Sequence, residues 1–282
     1  MKYALYTHFD SILMREGAEA VCRYAADRGF SGVEHLEDIS PCGKMSVPTM
    51  EDAKELRKTL DKYGLDMACL SIAANVWTNK SEVENLKKQA EFAAALGSPF
   101  LHHTCLPWLK TGEDAPSAEE GFECAVKAAV EVSQYAARFG LNTLYEEQGL
   151  YLNGCEGFGK FLYEVRRLCP SVGVCGDMGN IRFVTETPEA FFEQFKGDIR
   201  HVHVKAYQTH TEKPASDFLC YELRDGSWIE EVSPVLCPET MKNLMGLLKE
   251  ASYNGYYALE LSRWDDFDTA SKQTMTLLDS LA

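Results

Sequence analysis

Eight times along this chain a short apolar run is followed by a longer stretch with helical spacing, and no other feature restricts the fold as much. The runs are Tyr3–Phe9, Gly32–Leu36, Asp66–Ile72, Phe100–Thr104, Leu141–Glu146, Val172–Gly176, Ile199–Tyr207 and Tyr256–Glu260. The stretches between and after them predict helices over 11–28, 49–63, 81–96, 117–139, 158–168, from Pro188, over 238–251 and over 268–281. Four of these helices stop at a glycine (Gly29, Gly64, Gly97, Gly140), the residue that most readily takes the left-handed C-terminal position. Thr49 can cap one helix, and Ser117 with Glu120 three residues on has the spacing of a capping box. Such alternation calls for parallel strands joined by helical crossovers. Eight units in 282 residues match a (β/α)8, or TIM, barrel, a single α/β domain over residues 1–282. An open doubly wound sheet alternates too, but it usually carries a glycine-rich turn after its first strand, where this chain has THFDSIL. Residues 208–238 have little periodicity and predict an extended loop that acts as a lid.

The formal charge of −15 works against nucleic acid or an anionic membrane as partner, because phosphate binding rests on clustered Lys and Arg. Ten cysteines lie scattered with no CxxC pair, in a chain long enough to bury a core without staples, which predicts reduced thiols. No basic segment leads into an apolar stretch ahead of the first strand, and no run reaches the ~20 apolar residues of a membrane span. The expected setting is the cytoplasm, with a small molecule as substrate; a second copy or a different subunit is compatible with the sequence.

In a barrel of this kind the chemistry sits at the C-terminal ends of the strands. In IRHVHVKAY, His201, His203 and Lys205 share one strand face while Val202 and Val204 take the other. Three further runs end in acids: Glu146 on strand five, Asp177 on strand six and Glu260 on strand eight. One strand-end acid is often a helix cap or a solvated rim residue. Glu146, Asp177, His203 and Glu260 together supply three oxygen donors and one imidazole nitrogen, a set suited to Mn²⁺ first, or Mg²⁺, with Co²⁺ or Zn²⁺ compatible.

The chain resembles the sugar isomerase/epimerase superfamily with a xylose-isomerase-like TIM barrel, whose relatives include ketose 3-epimerases, inosose dehydratases and, more distantly, endonuclease IV. The resemblance runs from GFSGVEHLE through EFAAALGSPFLHH into the second half, where the ordered ligand pattern falls on YEEQG, CGDMGN, HVHVKAY and YALEL. It implies that Glu146 rather than Glu147 is the strand-five ligand, and that Glu146 and Glu260 are also the two proton-handling bases on opposite faces of a sugar. It further implies proton movement next to a carbonyl through an enediolate. A lyase of the same fold, a dehydratase or a C-glycoside deglycosidase acting on a 3-oxo-sugar, fits the same residues. So does a sugar-binding barrel without catalysis. Two positions depart from the pattern: Asn180 stands where many members have histidine, and Ala206 where many have Asp.

Other residues carry two readings each. His102 and His103 end strand four, and strand alternation sends only one of them to the lumen, where it would bond a substrate hydroxyl; otherwise each is a histidine satisfied by helices. His8 and Glu34 are similar. Lys205 can hold a substrate oxygen or pair with a buried carboxylate, and Trp108 can wall a sugar ring or pack its own loop.

Overall fold

The computed structural model describes residues 1–38, 47, 49–78, 81–107, 115–215, 219–262 and 266–282. Seven strands follow the expected runs: β1 (Lys2–Leu5), β2 (Gly32–Asp38), β3 (Asp66–Ala73), β4 (Phe100–His103), β5 (Asn142–Tyr145), β6 (Gly173–Asp177) and β7 (Ile199–Val204). Then come β8 (Ala206–His210), β9 (Cys220–Glu222) and β10 (Trp228–Val232), and the last, β11 (Tyr256–Leu259), pairs in parallel with both β7 and β1. The barrel therefore closes with eight parallel strands in chain order, apart from the inserted β8–β10. Among the described residues no helix is long and apolar enough to cross a membrane.

Around the barrel lie α1 (Phe9–Glu16), α2 (Ala18–Asp27), α3 (Met50–Tyr63), α4 (Glu82–Ala95), α5 (Ala118–Ala137), α6 (Cys155–Arg166), α7 (Pro188–Phe195), α8 (Pro238–Glu250) and α9 (Phe267–Leu281). The boundary chemistry acts where the sequence puts it. Thr49 and Asp52 form a reciprocal capping box at α3, Ser117 and Glu120 another at α5, and Gly64 ends α3 in the left-handed conformation. The first helix differs: one helix over 11–28 is expected, and two are found, because Gly17 at φ 86° and ψ 171° interrupts the ladder between α1 and α2.

The segment 208–238 is the larger correction. In place of an extended loop it holds β9, β10 and most of β8, an antiparallel sheet in the order β8-β10-β9, and a one-turn 3-10 helix over Pro234–Leu236. Strands of three to five residues paired with distant partners leave too short a local period to read. Phe183, Tyr207, Leu223 and Ile229 give this sheet a small core of its own. Glu231 ties it back to the barrel, accepting a hydrogen bond from the Ser262 backbone N–H at 2.9 Å.

The alternation of period two sorts the barrel into two faces. Val202 and Val204 point outward into the main core, where Phe158, Phe191 and Phe195 stack between α6 and α7. Inward, small side chains (Ala4, Ala68, Ala258) and Tyr6 leave room in the lumen. Where β2 meets β3 the register shifts between Val33 and Glu34, so that Glu34 comes opposite Cys69. The extra residue on β3 turns both Cys69 and Ser71 to Glu34's side.

Candidate metal centre

β7 and the residue after it form a ladder of three polar side chains up the lumen. At the lowest rung His201 Nε2 lies 2.6 Å from Glu34 Oε2. Above it, His203 points its two nitrogens in different directions: Nε2 meets Glu34 Oε1 at 3.0 Å, while Nδ1 lies 3.2 Å from Glu146 Oε1 and 3.3 Å from Glu260 Oε2. At the top, Lys205 Nζ donates to Glu260 Oε1 at 2.5 Å and to Asn180 Oδ1 at 3.4 Å, with Asp177 Oδ2 at 3.7 Å.

The ligand atoms of Glu146, Asp177, His203 and Glu260, at the ends of four neighbouring barrel strands, lie within 4.8 Å of one another. Each is held from outside the group. Asn180 Nδ2 donates to Glu146 Oε1 at 2.9 Å, and the backbone N–H groups of Gly179 and Asn180 both donate to Asp177 Oδ1 at 2.7 Å. Asp177 Oδ2 is buried and has no hydrogen bond among the described residues. A buried carboxylate oxygen without a donor is costly, and a cation would satisfy it. Three carboxylates and one imidazole, with one oxygen left over, fit a hard divalent ion.

The charged groups of the cluster act strongly on one another. Burial pushes the Asp177 and Glu260 carboxyls up, with Lys205 acting against it in both cases. Burial works against the Lys205 ammonium, yet Asp177 and Glu260 hold its pKa well above the ordinary value. Burial likewise opposes the His203 imidazolium, and Cys175, Glu34 and Glu146 outweigh it, so that the net shift is upward.

Both neighbouring pairs resolve by alternation. Glu146 enters the lumen; Glu147 turns away and is fully buried, with neither oxygen hydrogen-bonded among the described residues. Burial first, then Asp177 and Glu146, push the Glu147 carboxyl well above its usual range. His102 enters the lumen, where Nδ1 lies 3.0 Å from Ser71 Oγ and Nε2 lies 3.5 Å from Glu146 Oε2; burial lowers its pKa to about 4. His103 faces the helices, with Nε2 3.0 Å from the Tyr145 hydroxyl and Nδ1 3.0 Å from the Thr104 carbonyl. His8, at the start of α1, stacks on Phe267 at 3.9 Å between ring centroids. Lys205 is at the site; Trp108 lies outside the described residues.

Sequence reasoning did not single out Tyr6, Ser71 or the holding role of Asn180. Tyr6 stacks on His203 at 4.8 Å and 29°, and its place on the Ala4 face of β1 was the available signal. Ser71 needed the β3 irregularity, which no local pattern carries.

The family model for xylose isomerase-like TIM barrels matches residues 22–281. No curated protein matches the chain by sequence. Among solved structures the chain is similar to D-psicose 3-epimerase with D-tagatose from Clostridium cellulolyticum H10, at 12% identity and a TM-score of 0.73, covering 100% of this chain and 99% of that one. It is also similar to the apo form of 3-keto-D-glucoside 4-epimerase from E. coli, at 15% identity and a TM-score of 0.71, covering 99% of each chain. A xylose isomerase-like TIM barrel protein from Mycobacterium smegmatis in complex with magnesium is similar at 14% identity and a TM-score of 0.71, covering 100% of this chain and 98% of that one.

Proposed function

Since this chain belongs to the xylose isomerase-like TIM barrel family, we propose that Glu146, Asp177, His203 and Glu260 hold a divalent cation, Mn²⁺ first, in a sugar isomerase or epimerase. The observation that carries the reading is the convergence of those four side chains on one point, with a buried oxygen of Asp177 lacking a donor. The two epimerases of the same fold point to a ketose or 3-keto-sugar as substrate class.

When bound, the cation supplies positive charge against the oxygen that becomes anionic as a proton leaves the neighbouring carbon. The remaining work falls to the chain. Glu260 is the most solvent-open of the four, its side chain 20% exposed, and it is the base that meets a substrate entering the mouth. Lys205, at 2.5 Å, favours its ionised, proton-accepting form. Glu146, held by Asn180 and faced by His102, stands on the other face; protonated in this direction, it gives its own proton to the carbon there, and the two glutamates exchange roles in the reverse reaction. His102, kept neutral by burial, has Nε2 buried without a hydrogen bond among the described residues, and that nitrogen bonds a substrate hydroxyl.

Purified protein loaded with Mn²⁺ and incubated in D₂O with ketoses, inososes and 3-keto-glucosides tests the reading. Deuterium entering the carbon beside the carbonyl without loss of a group is the expected result. Release of water or aglycone would make the protein a lyase, and tight binding with no exchange a sugar-binding barrel.

A further inference from the structure

We propose that Glu34, on the opposite side of the barrel from the metal ligands, is the positioning residue that fixes which nitrogen of His203 faces the cation. The inference rests on the four-ligand reading above. Glu34 is fully buried on β2, and a carboxylate in such a place needs partners to offset its lost hydration. It has three. Ser71 Oγ donates to Oε1 at 2.5 Å, His203 Nε2 lies 3.0 Å from the same oxygen, and His201 Nε2 lies 2.6 Å from Oε2.

An ionised carboxylate only accepts, so Nε2 of His203 carries a proton and its lone pair is not available there. Nδ1, facing Glu146 and Glu260, is left as the ligating nitrogen. The ring cannot easily turn over to exchange the two. Tyr6 stacks on one face at 4.8 Å, and His102 and His201 both meet it edge-on at 5.5 Å. A carboxylate behind a metal-binding histidine raises the basicity of the ligand and sets its orientation. Here that carboxylate comes from 169 residues away in the chain, placed by the register shift between β2 and β3.

A competing arrangement uses the same carboxylate. Glu34, Cys69 and His201 also bring ligand atoms within 4.8 Å of one another, a possible second cation site below the first. The three hydrogen bonds already made by Glu34 favour the positioning role.

Co²⁺ titration of the full chain, in competition with a chelator and followed by its visible spectrum, tests the assignment. Wild type should bind one Co²⁺, and Glu34→Gln should bind it 10–100-fold more weakly with an altered spectrum and an unchanged far-UV circular dichroism. Wild-type affinity in Glu34→Gln, beside lost binding in His203→Ala, would overturn the positioning role while leaving the four-ligand site standing. Unchanged affinity in His203→Ala would remove the four-ligand site and the inference with it. Two Co²⁺ per wild-type chain, falling to one in Cys69→Ser, would make Glu34 a ligand instead. Should Glu34→Gln fail to fold, nitrogen-15 spectra of the Zn²⁺-loaded wild type decide: metal on Nδ1 with the proton on Nε2 is expected for His203, and metal on Nε2 overturns the proposal.

Discussion

At the level of single residues, Glu146 and Glu260 differ more in their supports than in their chemistry. One is held by a neutral amide and the other by an ammonium. Glu→Gln at either position keeps a coordinating oxygen but removes the base. Glu146→Gln and Glu260→Gln should each retain metal while losing on the order of 10²-fold or more in turnover. The losses should be one-sided, each variant blocking solvent exchange from one epimer more than from the other, which deuterium incorporation from each direction would reveal. Near wild-type turnover in both metal-loaded variants would mean another group moves the proton. The sequence reading reached the four candidate ligands because three of them end apolar runs and His203 lies on the polar face of a fourth, and those signals are local. It could not choose within Glu146/Glu147 or His102/His103, since alternation fixes that neighbours point apart and not which one points in. The hydrogen bonds that hold these side chains lay further out of reach, because Glu34 and His203 meet only when the barrel closes.

Single elements show what short-range pattern can and cannot carry. Capping boxes and glycine stops are local, and they place helix ends correctly. Gly17 was equally visible but lay inside an otherwise continuous helical pattern, so its break was hidden by the residues around it. β2 carries a charged cluster on its outer face. His35 pairs with Asp10 of α1 through Nδ1, and its Nε2 lies 2.8 Å from Glu37. Burial opposes the charge, but Asp10 foremost, with Glu37, raises the pKa from 6.5 to about 10. The folded state thus holds a proton that the unfolded chain releases above 6.5. The stabilisation is complete below that value and is lost as pH rises to about 10. Across that window denaturant unfolding should show His35→Gln with a shallower fall in stability than wild type, by about 1.4 kcal/mol per pH unit at most. Parallel slopes would show that His35 does not hold the proton. In the inserted sheet, Glu231→Ala releases the tie to Ser262. It should raise KM while leaving metal affinity as it was; an unchanged KM would mean the sheet plays no part in substrate binding.

For the whole molecule, eight alternating units in 282 residues, with no glycine-rich turn after the first strand, were enough to predict closure over an open doubly wound sheet. What sequence could not give was the inside of the barrel, where each neighbour comes from a different strand. A cation bound at its mouth joins four of those strands and should act on the stability of the entire fold. At a free concentration one hundred times its Kd, Mn²⁺ should add about 2.7 kcal/mol to the native state, visible as a concentration-dependent rise in Tm. EDTA should reverse that rise, and Asp177→Ala should lack it. A Tm indifferent to Mn²⁺ would count against the site.

The inserted sheet packs Tyr207, Leu223 and Ile229 on Phe183 of the β6–α7 connection, in a cluster separate from the main core, and joins that core through Ala206 and Val232. The sheet's outer positions can therefore change without disturbing the residues that close the barrel, and the barrel's exterior can change without reshaping the sheet. Grafting residues 206–232 from one relative to another should carry preference for a sugar across, with the reaction left to the recipient.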